Sequence, residues 1–308
     1  MGSFRADGKR WAAGTIHQGD VMAIDKPQAR IGIYLLLAFA LSSVFYALII
    51  GCGHLAGASG LYVTGLMWAP ATAALLTCRF TGKPFAELGF AWPRARWVWL
   101  AWLLPLAYAG VPYLIVWSTG LGGFGNPAFL ARAAKDMGWT AAPAWLVGAG
   151  SLLIFYIVGM VNGVATGLGE EIGWRGLLTP EMTRAYGFTR GSFFTGVIWT
   201  SWHLPILLFA DYNAGTPWWF GMPCFALMVI GIGFVFAWLR LRSGSVWPAA
   251  ILHGSHNVLI QAWLTPMTVP RGHITPYAID EFGFMLALSG VVVGIVFWRK
   301  RGELPAAA

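Results

Sequence analysis

Residues 143–178 read PAWLVGAGSLLIFYIVGMVNGVATGLGEEIGWRGLL. No charged side chain occurs before Glu170, so the stretch from Pro143 to Ala165 meets the roughly 17–25 apolar residues that a helix needs to cross a bilayer. Two carboxylates, Glu170 and Glu171, follow directly, and Arg175 stands four residues after the second. Their surroundings are apolar and glycine-rich, which suits a short helix re-entering the membrane. Ionisable groups at membrane depth are costly, and they mark functional sites by default.

The same kind of run recurs on both sides. Apolar stretches lie near 31–51, 61–78, 97–118, 143–165, 191–209, 217–239, 245–264 and 282–298. They are continuous and do not alternate, which excludes a membrane β-barrel. Composition agrees: 57% of the 308 residues are hydrophobic and 10% are charged, against about 25% charged in a soluble domain. The mean hydropathy is +0.65. These values exclude a disordered chain, a coiled coil and an ordinary soluble enzyme. The expected fold is all-α, a polytopic membrane protein of eight transmembrane helices. Residues 1–30 form a polar cytosolic arm, 31–301 the membrane domain with its site in 160–260, and 302–308 a short tail.

With the N-terminus in the cytosol, the inside segments hold 17 of the 20 Lys and Arg residues. Only Arg132, Lys135 and Arg271 fall outside. That bias is the positive-inside pattern for eight crossings with both termini cytosolic. The basic residues are scattered between apolar runs, so the net charge of +8 sets topology, and no nucleic-acid partner is expected. Cys52, Cys78 and Cys224 stand singly and far apart. This excludes a disulfide framework or a cysteine zinc site and leaves them as small packing residues.

The remaining polar residues sort by position. Ten of the 12 carboxylates, Glu181, Asp280 and Glu281 among them, fall in the arm, the loops or the span ends. Glu170 and Glu171 are the exceptions. Three histidines lie in the arm or external loops, and three lie within spans: His203 in the fifth, His253 and His256 in the seventh. His203 sits roughly 18 Å and His253 roughly 12 Å along their helices from the cytosolic side. A shared pocket opening to the cytosol follows. His253 and Asn257 are four apart and stack on one helix face, while His256 points elsewhere or lines the same pocket. Glu171 and Arg175 have the spacing of an intrahelical ion pair.

In chain order these residues read Glu170-Glu171-x-x-x-Arg175, Trp199-x-x-x-His203 and His253-x-x-x-Asn257. The set resembles the CAAX protease and bacteriocin-processing family of intramembrane proteases, which includes Rce1-type prenyl-protein endopeptidases and bacterial Abi proteins. The departure is Trp199, where the family commonly has Phe. The resemblance implies an intramembrane endopeptidase that cleaves a lipidated, leader-bearing or membrane-associated peptide with glutamate-activated water, in a bacterial inner (cytoplasmic) membrane. A carboxylate in an apolar site is a stronger base toward water. Glu170 takes that role, with Glu171 the other candidate, and His203 orients the water. His253 and Asn257 supply donors to the oxyanion. Glu171 and Arg175 hold the helix and balance charge, and Trp199, Trp202 and His256 line the substrate's path. The mechanism so implied needs no cofactor; the alternative is a divalent metal such as zinc on Glu170, His203 and His253 with an open position for water. A non-proteolytic scaffold of the same fold would need no intact set of these residues. A proton-coupled transporter would place polar groups in both halves.

Overall fold

The computed structural model describes residues 25–213 and 215–305. The expected polar arm up to residue 24 and the last three tail residues lie outside them. The described chain is helical almost throughout, and each of the eight apolar runs coincides with helix to within a few residues.

The helices begin and end where local chemistry requires. Pro27 opens α1 (Pro27–Gly51). The Ser59 hydroxyl accepts from the Leu61 amide at the start of α2 (Gly60–Thr81), and left-handed Gly82 ends it. Helices α3 (Ala95–Tyr108) and α4 (Gly110–Thr119) run on through Ala109 as a single rod. Next come a surface helix, α5 (Pro127–Asp136), and α6 (Ala144–Ile154). A π-helical turn, Phe155–Gly159, joins α6 to α7 (Met160–Glu171), and a second, Ile172–Leu178, joins α7 to α8 (Thr179–Phe209). After α9 (Trp218–Ser243) and α10 (Trp247–Asn257), a third π turn, Val258–Leu264, leads into α11 (Thr265–Met267). The chain closes with α12 (Thr275–Ala278) and α13 (Phe284–Arg299).

Among the described residues, five helices are long and apolar enough to span a bilayer: Pro27–Gly51, Gly60–Thr81, Ala95–Thr119, Ala144–Phe209 and Trp218–Ser243. The fourth of these merges two of the expected runs into 66 continuous residues. It is folded back at Gly187, whose φ of 77° and ψ of 165° break the helix. That φ is strained for any L side chain and open to glycine. Beyond the reversal Gly191 lies against the Met182 carbonyl, where a Cβ would sit 3.0 Å from its oxygen. The last run is shorter than expected: α13 has 16 residues, about 24 Å of helix against a hydrocarbon core of about 30 Å. Outward faces stay apolar, as a lipid-facing surface should. Leu36, Val44, Leu61 and Val161 are all more than half exposed.

Two features of the external segments were not expected. Gly122–Phe124 pairs antiparallel with Thr268–Pro270 in a small two-stranded ladder. The segment 127–136, read as loop, is an amphipathic helix capped by the Asn126 side chain, with Ala133 and Ala134 packed on Val147. Two carboxylates assigned to loops and span ends are in fact buried: Glu181 is 0% and Glu281 4% exposed. Each has basic or hydrogen-bonding partners supplied by segments remote in sequence, which a linear reading does not see.

Two ends of the bundle can be distinguished. One gathers Lys83, Arg184, Arg240 and Arg301, around Glu87 and Glu181. Here Lys83 is 3.0 Å from Glu181, and Glu87 is held below the usual carboxylate range, chiefly by its bond to Lys83. At the other end the Leu55 amide donates to the Ala210 carbonyl, and the strand pair lies close by in sequence to α4 and α11.

Candidate active site

Helices α7 and α10 meet at Gly163 and Gly254. A Cβ on Gly254 would lie 2.7 Å from the Gly163 carbonyl carbon, so only hydrogen fits there. Close approach through small residues is how helices pack in lipid. It sets His253 against Gly167, one turn further along α7, and brings His253 Nδ1 to 2.9 Å from Glu171 Oε1. The Arg175 guanidinium donates to the same oxygen at 2.9 Å. Glu171 and Arg175 are both fully buried, so the expected i,i+4 pair exists and a histidine 82 positions away completes it.

Trp199 organises the neighbouring groups. Its indole N–H donates to Glu170 Oε2 at 2.8 Å, and the Trp174 indole adds a longer bond of 3.3 Å to that atom. No protein donor reaches Oε1 of Glu170 among the described residues. Arg175 Cζ lies 4.1 Å from the Trp199 ring centroid and 4.2 Å from that of Phe236, so its charge rests against two aromatic rings set nearly perpendicular to each other. The rings of His203 and His253 lie 6.1 Å and 5.7 Å from that of Trp199. His203 Nδ1 is 2.9 Å from the Trp199 carbonyl oxygen. A carbonyl only accepts, so Nδ1 carries the proton and Nε2 is left as an acceptor.

All four residues assigned to chemistry, Glu170, His203, His253 and Asn257, line one cavity of about 180 Å³. That volume has room for several waters. Trp199, Trp202 and His256 line it too. The cavity extends from Glu170 toward Leu55, Tyr212 and Glu281, away from the arginine-bearing end from which access was expected. The grouping of residues from α7, α8 and α10 is therefore as read from the sequence.

Residues 150–259 match the Rce1-like type II CAAX prenyl endopeptidase family. The match spans all three motifs, and the resemblance drawn from them is borne out. A curated relative, CAAX prenyl protease 2 of Methanococcus maripaludis, is 28% identical over 91 residues, which is 27% of this chain and 32% of that protein. The chain thus aligns with about a third of the length of the relative it matches.

Several assignments change in detail. Trp202 is 1% exposed and ties α8 to α1, its indole donating to the Ser42 hydroxyl at 2.7 Å. His256, expected to meet substrate, has both ring nitrogens engaged, with Tyr108 Oη at 2.7 Å and Glu281 Oε1 at 2.9 Å. Glu170, His203 and His253 do not converge as a metal-holding group; among the described residues no three His, Cys, Asp or Glu side chains do. Glu170 Oε2 and the Nδ1 atoms of both histidines are engaged by indoles, a backbone carbonyl and Glu171.

The sequence reading missed four residues. Glu281 accepts from Tyr212 at 2.9 Å and Gln261 at 3.1 Å besides facing His256, and Tyr212 stacks on His203 with ring centroids 6.2 Å apart. Gln261 carried a signal: it stands four residues beyond Asn257 on the His253 face of an apolar run. Trp174 likewise stands four beyond Glu170. Glu281 and Tyr212 carried none, because both sit in connecting segments. Gln261 and Glu281 lie outside the residues matched to the family.

Proposed function

We propose that this chain is an intramembrane endopeptidase whose site, within residues 160–260 of an eight-crossing membrane domain, hydrolyses a peptide bond with water activated by Glu170. The observation that carries the reading is the cavity: Glu170, His203, His253 and Asn257, from three separate helices, all line it. The family match and the relative named as a CAAX prenyl protease support the same class of reaction.

The hydrogen bonds support the following roles. The Trp199 and Trp174 indoles hold Oε2 of Glu170, so Oε1 is the atom that takes a proton from water. His203, with Nδ1 committed to the Trp199 carbonyl, offers Nε2 to accept the second water hydrogen and hold the oxygen in line. The water oxygen attacks the scissile carbonyl carbon, and the carbonyl oxygen becomes an oxyanion. His253 gives its Nδ1–H to Glu171, which leaves Nε2 for the cavity. Protonated there, it donates to the oxyanion beside the Asn257 amide, and Glu171 balances its charge. Glu170 then passes its proton to the leaving nitrogen as the C–N bond breaks. Losing one oxyanion donor lowers a rate by about 10²–10³. The substrate is a lipidated, leader-bearing or membrane-embedded peptide, and the setting is a cytoplasmic membrane.

The test is cleavage of prenylated CaaX peptides and leader peptides by the full chain in nanodiscs. Glu170→Gln and His203→Ala should each abolish turnover while insertion and unfolding stay native. Undiminished turnover in either variant overturns the assignment. His253→Ala and Asn257→Ala should lower kcat more than they raise KM.

A further inference from the structure

We propose that the cavity at the arginine-bearing end is a binding site for the phosphate of an anionic phospholipid headgroup. The cavity measures about 940 Å³ and is lined by Lys83, Arg184, Arg190, Arg240 and Arg301, with Glu87 as its one carboxylate wall residue. It shares no lining residue with the Glu170 cavity.

The charges around it do not cancel. Glu181, buried behind the wall, is 3.0 Å from both Lys83 and Arg184, and Glu87 contacts the same two cations. None of the ion pairs among the described residues includes Arg190, Arg240 or Arg301. Arg240 is the informative one. It is 7% exposed, and its Nε and Nη2 donate to the backbone carbonyls of Arg175 and Glu87, each at 3.0 Å. Carbonyls satisfy donors but not charge. A buried guanidinium without a counter-ion is unfavourable, and two further guanidiniums without a carboxylate partner, Arg190 and Arg301 (the latter stacked on Trp298 with Cζ 4.0 Å from the ring centroid), raise the positive potential. Several guanidinium forks around one hollow suit the several oxygens of a phosphate better than a single carboxylate.

Position argues for a lipid as the source. Phe194 is 47% exposed one turn from Arg190, and Tyr186 is 46% exposed on the rim. A headgroup on Arg190 therefore has an apolar path for its acyl chain along the same face of α8. Basic pockets between membrane helices bind anionic headgroups for this combined reason. Arg240 also links the cavity to the segment bearing Arg175, so the bound phosphate braces that segment from behind.

The full chain, purified in neutral detergent, is titrated with phosphatidylglycerol, phosphatidylcholine or inorganic phosphate, and binding is followed by thermal unfolding and native mass spectrometry. Phosphatidylglycerol should bind saturably and raise the unfolding temperature, phosphatidylcholine should not, and phosphate alone should act weakly. Arg190 and Arg301 are both exposed at the rim, so Arg190→Gln/Arg301→Gln should unfold like the native chain without lipid. Removing one arginine should weaken binding about 5-fold and removing both about 25-fold. Equal affinity in the double variant, or equal binding of phosphatidylcholine, overturns the site. Stabilisation by inorganic phosphate that matches phosphatidylglycerol overturns the lipid as its source.

Discussion

The indole of Trp199 should carry a measurable part of the stability of the Glu170 site. Its N–H lies 2.8 Å from Glu170 Oε2, and the Trp174 donor is longer at 3.3 Å. A hydrogen bond to a charged group contributes about 1.5–3 kcal/mol. Trp199→Phe keeps an aromatic face for Arg175 and an edge for His253, and removes the donor. It also leaves a small void, worth on the order of 1 kcal/mol, which obscures the hydrogen bond in the single variant. A double-mutant cycle with Glu170→Met removes that term. Glu170→Met alone strands two buried indole N–H groups, at about 1–3 kcal/mol. With Phe at 199 one of the two is gone, so the double variant should be less destabilised than the sum of the singles. The expected coupling is about 1.5–3 kcal/mol, read by equilibrium unfolding in mixed micelles. Additivity to within about 0.5 kcal/mol would refute the idea that this indole anchors the carboxylate.

Arg175→Met should destabilise the chain by about 3–5 kcal/mol, because Glu171 is then left buried without its cation; adding Glu171→Gln should recover part of that in the same unfolding assay. Gly254→Ala drives a methyl to within 2.7 Å of the Gly163 backbone; about 1–3 kcal/mol of overpacking strain is expected, along with a displaced His253, visible as lower turnover. Glu281→Ala strands the buried His256 ring nitrogen and removes the acceptor of Tyr212 and Gln261, and should lower stability by about 1–3 kcal/mol, with Glu281→Gln milder. Glu87, held below the usual carboxylate range chiefly by Lys83, contributes stability that is present at neutral pH and lost as the pH falls through its lowered value. Unfolding temperatures of the native chain and Glu87→Gln should therefore converge in acid, and a difference that stays constant down to pH 3 would contradict this.

How far the site was legible depended on where its residues stand. Glu170, Glu171, His203, His253 and Asn257 are conspicuous because polar groups are costly in runs that are otherwise apolar. Regular helix geometry then puts residues four apart on one face. That same rule, applied further, would have found Trp174 and Gln261. Glu181, Glu281 and Tyr212 escaped because a carboxylate or tyrosine beside a loop looks solvated. The two carboxylates are buried, and Tyr212 is half-buried, by partners such as Lys83 and His256 that the linear chain does not place near them. The chain reversal at Gly187 and the amphipathic helix Pro127–Asp136 escaped for a related reason, since a glycine or a short polar segment reads as a loop.

By itself the amino-acid order determined that the chain is helical and membrane-embedded, and which polar groups must be sheltered inside it, because hydrocarbon penalises unpaired polar groups wherever the helices come to lie. Only the tertiary structure decided the pairings: His253 with Glu171, Trp199 with Glu170, His256 with Glu281, and Arg240 with two backbone carbonyls and no carboxylate. Those choices depend on close approach at points such as Gly163 and Gly254, where contact distances of a few ångströms select one crossing among many that the same hydropathy pattern would permit.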